Sequence, residues 1–243
     1  SDTVTFTVVP DENYEVKRWT VNGLEQTGET GNTFVWEPTG DCTVAVELWG
    51  IEQKVTLDTG NGGTATVTDP ARYGETITIT ATPDAGYVVD TITVSGTDDI
   101  LYENTNKENG EQTGQYEITA NTTFEITFAK KPVVAFSATN GSLTASGTKD
   151  GTADTNLTTG DYVDFHSAVT FTAQAGQGFT FEGWYVDGTK VENHTNLTYT
   201  IDALSDDVTV EARFAAVADI KVEYEVNNSA MGSMTATADG KSF

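Results

Sequence analysis

Four scarcities in this chain remove most kinds of chemistry before any motif is read. Among its 243 residues there is one cysteine, Cys42, so no intrachain disulfide can form. Cys42 lies just before the alternating run TVAVEL (43–48), where a small buried hydrophobe is its expected role. There are two histidines, His166 and His194. They are well separated and have no cysteine beside them, so surface loop positions are expected rather than zinc ligands or members of a triad. Helical periodicity is missing as well: no apolar 3.6-residue pattern persists beyond about a turn. Long apolar runs are absent too, and none approaches membrane-spanning length. Neither a signal peptide nor an initiator methionine opens the sequence, which reads as an interior piece of a longer protein.

Cations are scarce. Twelve Lys and Arg stand against 37 Asp and Glu, for a formal net charge of −25. Nucleic acid needs a basic footprint, and anionic membrane surfaces attract one, so both partners are excluded. The acids are scattered over turns and solvent faces without a block of like charge. A solvated, self-repelling surface that resists aggregation is the expected result, with a salt-adapted source or a calcium-loaded surface as the other readings.

What the chain does have is threonine, 44 residues of it, and repetition. β-Branched residues suit pleated, half-buried surfaces. One motif is written three times: VTFTVVPDENYEVKRWTVNG (4–23), ITITATPDAGYVVDTITVSG (77–96) and VTFTAQAGQGFTFEGWYVDG (169–188). Each has an alternating strand, a turn, an aromatic, a second strand carrying Trp19, Ile92 or Trp184, and a closing glycine. Repetition at this period means a string of small similar domains. A variable loop follows each glycine, longest at 97–115. Then come a short strand (TFVW 33–36, QYEI 115–118, TYTI 198–201) and a last strand (TVAVEL 43–48, TFEITF 123–128, TVEARF 209–214). Alternate apolar positions in the last strand predict one buried face.

A further element reads KVTLDTGNGGTATV (54–67), VVAFSATNGSLTA (133–145) and IKVEYEVNNSAMGSMTA (220–236). Two strand patterns flank an Asn/Gly turn, which predicts a β-hairpin. Two divisions follow. Body-then-hairpin units give domains 1–70, 71–165 and 166–243, preferred because unpaired apolar strands at both ends would be an aggregation hazard. The alternative phase leaves 1–50 and 217–243 partial, around units 51–130 and 131–216.

The body resembles the divergent internalin B-type repeat of bacterial surface proteins. RYGETITITATPDAGYVV (72–89), GFTFEGWYVDG (178–188) and DVTVEARF (207–214) carry the resemblance. The first copy departs from the pattern with Glu12-Asn13 where the second has Ala85-Gly86, and the second has Ile92 where the family expects tryptophan. The resemblance implies small β-rich folds, some β-grasp-like, serving as stalks and spacers in secreted or wall-attached chains. It attributes no catalytic residues to the repeat.

No GxSxG, HExxH, P-loop or dinucleotide fingerprint occurs. GNGG (60–63) joins two strands, so the helix N-terminus that would hold phosphate is missing. The pairs Asp98-Asp99 and Asp206-Asp207 read as solvated turn acids rather than glycosidase carboxylates. Asp150, Asp154 and Asp161 share an oxygen-rich segment that fits no EF-hand loop, and calcium there stays an open minor reading. Ile92 substitutes for Trp19 and Trp184, so those tryptophans read as core, and Trp36 likewise. Trp49, at the exit of the first copy, reads as an inter-domain contact. Six sequons (Asn121, Asn140, Asn156, Asn193, Asn196, Asn227) would mark surface loops in a glycosylating host. Isopeptide bonds need a buried lysine beside an acid, and no lysine occupies an inward position of a clear apolar strand.

The expected fold is all-β: a tandem array of small sandwich or β-grasp-like units of about six short strands. The expected function is a non-catalytic extracellular spacer or stalk, cell-surface or wall-attached, without catalytic, metal or cofactor residues. The alternative is a binding module that holds a host protein or glycan on variable loops such as 97–115. Neighbouring domains of the same chain are the expected partners, and the chain is expected to be a monomer.

Overall fold

The computed structural model describes residues 2–68 and 70–217, with the short strands at 237–238 and 241–242. Strands dominate, and among the described residues there is no helix, hence none long and apolar enough to cross a membrane. The first unit has β1 (Val4–Thr7), β2 (Tyr14–Val21), β3 (Leu24–Glu25), β4 (Thr33–Trp36) and β5 (Val44–Gly50). The second has β6 (Val55–Thr59), β7 (Gly63–Val67), β8 (Thr76–Pro83), β9 (Tyr87–Val94), β10 (Ile100–Glu103), β11 (Gln112–Glu117) and β12 (Thr122–Lys130). The third has β13 (Val133–Thr139), β14 (Gly141–Lys149), β15 (Thr152–Leu157), β16 (Asp161–Tyr162), β17 (Ser167–Ala175), β18 (Phe179–Val186), β19 (Thr189–Lys190), β20 (Thr198–Leu204) and β21 (Val208–Ala216). Two short strands, β22 (Thr237–Ala238) and β23 (Lys241–Ser242), pair with each other beyond it.

The second and third units are two-sheet sandwiches. The second stacks β10-β9-β12-β6 on β11-β8-β7, and the third stacks β16-β13-β21-β18-β19 on β15-β14-β17-β20. Inward residues of both sheets share one core in each unit, such as Val134, Ala145, Phe171, Trp184 and Val210 in the third. Of the two forms expected, the sandwich is the one adopted.

The two described Asn/Gly elements, 54–67 and 133–145, are not hairpins. β6 joins one sheet, parallel to β12, while β7 joins the other, antiparallel to β8. β13 and β14 divide the same way, onto β21 and β17. Each element is an arch whose two strands cross from sheet to sheet and turn their apolar sides onto one core. The arch explains its glycine: a Cβ on Gly63 would run into the Phe128 ring, and one on Gly141 into Phe214.

These pairings redraw the units. Each arch pairs with the body that follows it, so strand pairing runs within 53–132 and 133–218 rather than within 1–70, 71–165 and 166–243. The physical reason is register: Leu57 lies opposite Phe124, and Phe136 opposite Val210, which closes the core of the later body. The first body therefore has only β1-β4 and β3-β2-β5. Residues 220–236, the third Asn/Gly element, lie outside the described residues. Pairing also places Tyr116, not Ile118, opposite Ile77, in the position that Trp36 takes opposite Val4 and Ile201 opposite Val169.

Trp19, Ile92 and Trp184 lie opposite Val46, Ile126 and Ala212. All three are buried, and both indoles donate across the core mouth, Trp19 Nε1 to Gly31 O at 2.9 Å and Trp184 Nε1 to Asn196 O at 2.8 Å. The tryptophans are core, as the substitution by Ile92 indicated.

Candidate functional site

The features that tie one unit to the next are the most elaborate polar constructions in the molecule. Each begins with a main-chain bond repeated three times. The turn before β2, β9 and β18 carries Asn13 (φ 70°), Gly86 (φ 80°) or Gly178 (φ 82°), a left-handed conformation that suits Gly and Asn. The carbonyl of that residue accepts the N–H of the residue just past the last strand: Ile51 N to Asn13 O at 2.8 Å, Lys131 N to Gly86 O at 2.9 Å, and Val217 N to Gly178 O at 2.8 Å. The exit direction of every unit is thereby tied to its own opening turn.

At the first junction Arg72 reaches back from the second unit. Its guanidinium carbon lies 3.5 Å from the centre of the Trp49 ring, and Nη1 donates to Gly50 O at 3.0 Å. Glu15 stands 3.3 Å away and Glu52 3.7 Å. A largely buried cation over an indole is stabilised by the ring quadrupole and, with carboxylates beside it, needs little water. Gly50 is buried, and a Cβ there would fall on the Tyr73 carbonyl, so the two units touch backbone to backbone. Tyr14 and Tyr73 meet edge to face, 5.6 Å between centroids. Trp49 is thus the inter-unit contact its position suggested.

The second junction inverts the charges. Lys131, at the Ile51 position, is 2% exposed and its ammonium donates to Asp150 at 2.6 Å and to Asp164 at 2.8 Å. Asp164 occupies the position that Arg72 holds in the second unit. It also accepts Asp150 N at 3.0 Å and Gly151 N at 2.7 Å. Burial pushes the Asp164 carboxyl up, but the Lys131 ammonium and the Gly151 N–H outweigh it, leaving it below the ordinary carboxylate range. Lys131 likewise holds the Asp150 carboxyl low. The Tyr162 hydroxyl donates to Asp150 at 2.7 Å, and that bond pushes its pKa up to about 12. Lys149 completes the group, 4.6 Å from the Tyr162 ring centre and 3.2 Å from Asp161.

Lys131 is buried although no lysine occupies an inward position of a clear apolar strand. It sits in the linker KKPV rather than on an alternating strand, so periodicity could not mark it. The chain's shortage of cations could have, since Lys130-Lys131 is a basic pair placed on a repeat boundary.

Cys42 is exposed, which corrects its expected burial. In the third unit the same position is Val208, paired with Val134 of the arch, and among the described residues no arch strand pairs over Cys42. The three acids weighed for calcium are not brought together. Asp150 is committed to Lys131 and Tyr162, Asp154 accepts Asn156 N, and Asp161 accepts from Thr158. His166 contacts Ser205 and His194 contacts the Thr198 carbonyl. Asp207 does structural work: it accepts Val133 N at 2.7 Å and so fixes the start of the third unit's arch. Asn121, Asn140, Asn156, Asn193 and Asn196 are exposed, while Asn227 lies outside the described residues.

Segment 97–115 is ordered rather than a bare loop. β10 pairs with β9, and buried Asn104 donates to Val89 O at 2.8 Å and Glu108 O at 2.9 Å while accepting Glu108 N at 2.7 Å. Lys107 pairs with Asp90 beneath it.

The family model for the divergent InlB B-repeat domain matches residues 53–132 and again 133–218, well over half of the chain. Its boundaries fall where the arches begin. Comparison with curated proteins and with solved structures gave no match.

Proposed function

The chain belongs to the divergent InlB B-repeat family, and on that premise we propose that it is a non-catalytic spacer of a bacterial cell-surface or adhesin-like protein. Its role is to hold whatever the longer chain displays at a fixed distance from the surface. The observation that carries this reading is the pair of junctions. A spacer must resist bending, and here each linker is short, hydrogen-bonded to the preceding turn, and clasped by a cation that is nearly excluded from water. A flexible tether would need none of these features. An extracellular, wall-attached location and partnership with neighbouring domains of the same chain follow from the same role. Small-angle scattering of the full chain tests it. An elongated particle is expected, and a compact globule overturns the reading.

One observation favours a second role, a binding module. Ile100 is 60% exposed on β10, beside the turn that Asn104 organises, so the longest insertion presents an apolar residue on a rigid base. A glycan array and pull-down with the full chain separate the two roles: specific capture that is lost on Ile100→Asp supports the module.

A further inference from the structure

A cleft of about 350 Å³ opens at the second junction, where three separate parts of the chain meet. Its walls are the opening turn of the second unit at 83–87, the far arm of the long insertion at 109–111, and the junction residues Lys131 and Asp150. That volume lies at the small end of the range for ligand sites. The Tyr87 ring is a fixed wall, because it lies so close to Gly62 that a Cβ there would run into it. Lys131 is 2% exposed, and an ammonium carries three N–H donors. Asp150 and Asp164 take two of them. Among the described residues the third has no acceptor, the Tyr162 ring centre being 5.3 Å from Nζ. Acceptors line the same space. The Asp84 carboxylate receives no hydrogen bond among the described residues, and that of Glu111 receives only the Thr82 hydroxyl, at 3.1 Å. Asn109, whose amide helps to hold the Asp164 carboxyl low, adds a group that both donates and accepts.

We propose that this cleft binds an uncharged saccharide, a site that rests on the binding-module reading and gives it a ligand class and a place. Sugar hydroxyls donate and accept, so one ring can satisfy the unspent N–H of Lys131 and the free oxygens of Asp84 and Glu111 together. Its C–H face carries slight positive charge, which suits the negative face of an aromatic ring such as Tyr87. Ligands of either sign fit less well. An anion meets Asp84, Glu111 and Asp150 on a molecule of net charge −25. An organic cation meets the Lys131 ammonium, whose remaining donor needs an acceptor. A metal ion lacks ligands, since among the described residues no three His, Cys, Asp or Glu side chains are grouped to hold one. The cleft is also distinct from the exposed Ile100. That residue pairs with Thr93, near the end of β9, whereas Tyr87 begins the strand.

Amide NMR of the full chain is the test, with maltose, cellobiose and N,N′-diacetylchitobiose added at millimolar concentration and putrescine and glucuronate as charged controls. At least one neutral saccharide is expected to shift the amides of 84–87, 109–111 and 131. Asp84→Ala and Glu111→Ala, both at exposed positions, should each weaken binding about tenfold. Tyr87→Phe should retain binding and Tyr87→Ala should lose it. Absence of shifts with all three saccharides overturns the proposal, as do shifts at the cleft with putrescine or glucuronate alone. Binding that is indifferent to Asp84→Ala and Glu111→Ala does the same. Shifts at the cleft that persist in Ile100→Asp support it. Glycan capture that is lost on Ile100→Asp yet unaffected by Glu111→Ala and Tyr87→Ala overturns the cleft and leaves the binding module standing.

Discussion

Lys131 concentrates the electrostatics of the second junction in one side chain. Removing one partner of a buried pair leaves the other charge without compensation, which costs about 3–5 kcal/mol. Lys131→Ala strands Asp164, whose side chain is only 11% exposed, so a loss of that order is expected in a urea titration. The pH dependence follows from the same group. Asp150, Asp161 and Asp164 are all held below the ordinary carboxylate range. Their contribution is therefore present above the unfolded-state pKa and disappears as pH falls through the folded values. Tyr162 works in the opposite sense: raised from 10.0 to about 12, it contributes fully below 10.0 and loses that contribution as pH rises towards about 12. Urea midpoints of the wild-type chain should fall on both limbs, with the acid limb shallower in Lys131→Ala. An acid limb of unchanged slope would place the titrating carboxylates elsewhere. Lys131 itself is not legible in the sequence, because period-two alternation marks burial only on strands and a linker lysine becomes buried only when two units close over it.

Strands were legible because period-two alternation is a local property, and Val44, Val46 and Leu48 or Val210, Ala212 and Phe214 display it without help. The partners of those strands were not. An Asn/Gly turn accepts positive φ whether the flanking strands pair with each other or part to opposite sheets, so the same four residues serve a hairpin and an arch. What decides is distant: the Phe128 and Phe214 rings fill the space under Gly63 and Gly141, and the parallel register onto β12 and β21 takes up the first strand. For that reason the local pattern allows either phase of the units, and only the pairing distinguishes 53–132 and 133–218. The polar composition of segment 97–115 gives a loop pattern that masks β10 and the buried Asn104. Asn104→Ala removes three hydrogen bonds, and leaving the Val89 carbonyl and the Glu108 main chain unpaired should cost about 1–3 kcal/mol. Hydrogen exchange of 103–110 should quicken in that variant while β14 and β17 of the third unit are unaffected. Uniform quickening across all units would show that the segment does not act locally.

Across the whole molecule, stability should be uneven in an order set by how completely each sandwich is closed. The buried cluster of the first unit is Val16, Trp19, Val21 and Phe34, against ten buried residues in the second unit's core and thirteen in the third's. Burying one large aliphatic side chain contributes roughly 1.5–3 kcal/mol, and among the described residues the first core holds several fewer such side chains than the other two. Sub-global opening of that unit should therefore lie several kcal/mol below opening of the others. Native-state hydrogen exchange should show β1, β4 and β5 exchanging first. The first junction offers a second handle on the same order. Arg72 donates to Gly50 O and faces Glu15, both in the first unit, so Arg72→Ala removes support from the weaker neighbour. It should speed exchange in β2 and β5 more than in β18 and β21, since those lie beyond a junction built on different residues. If β5 proves as protected as β12 and β21, the stability order drawn from the three cores fails.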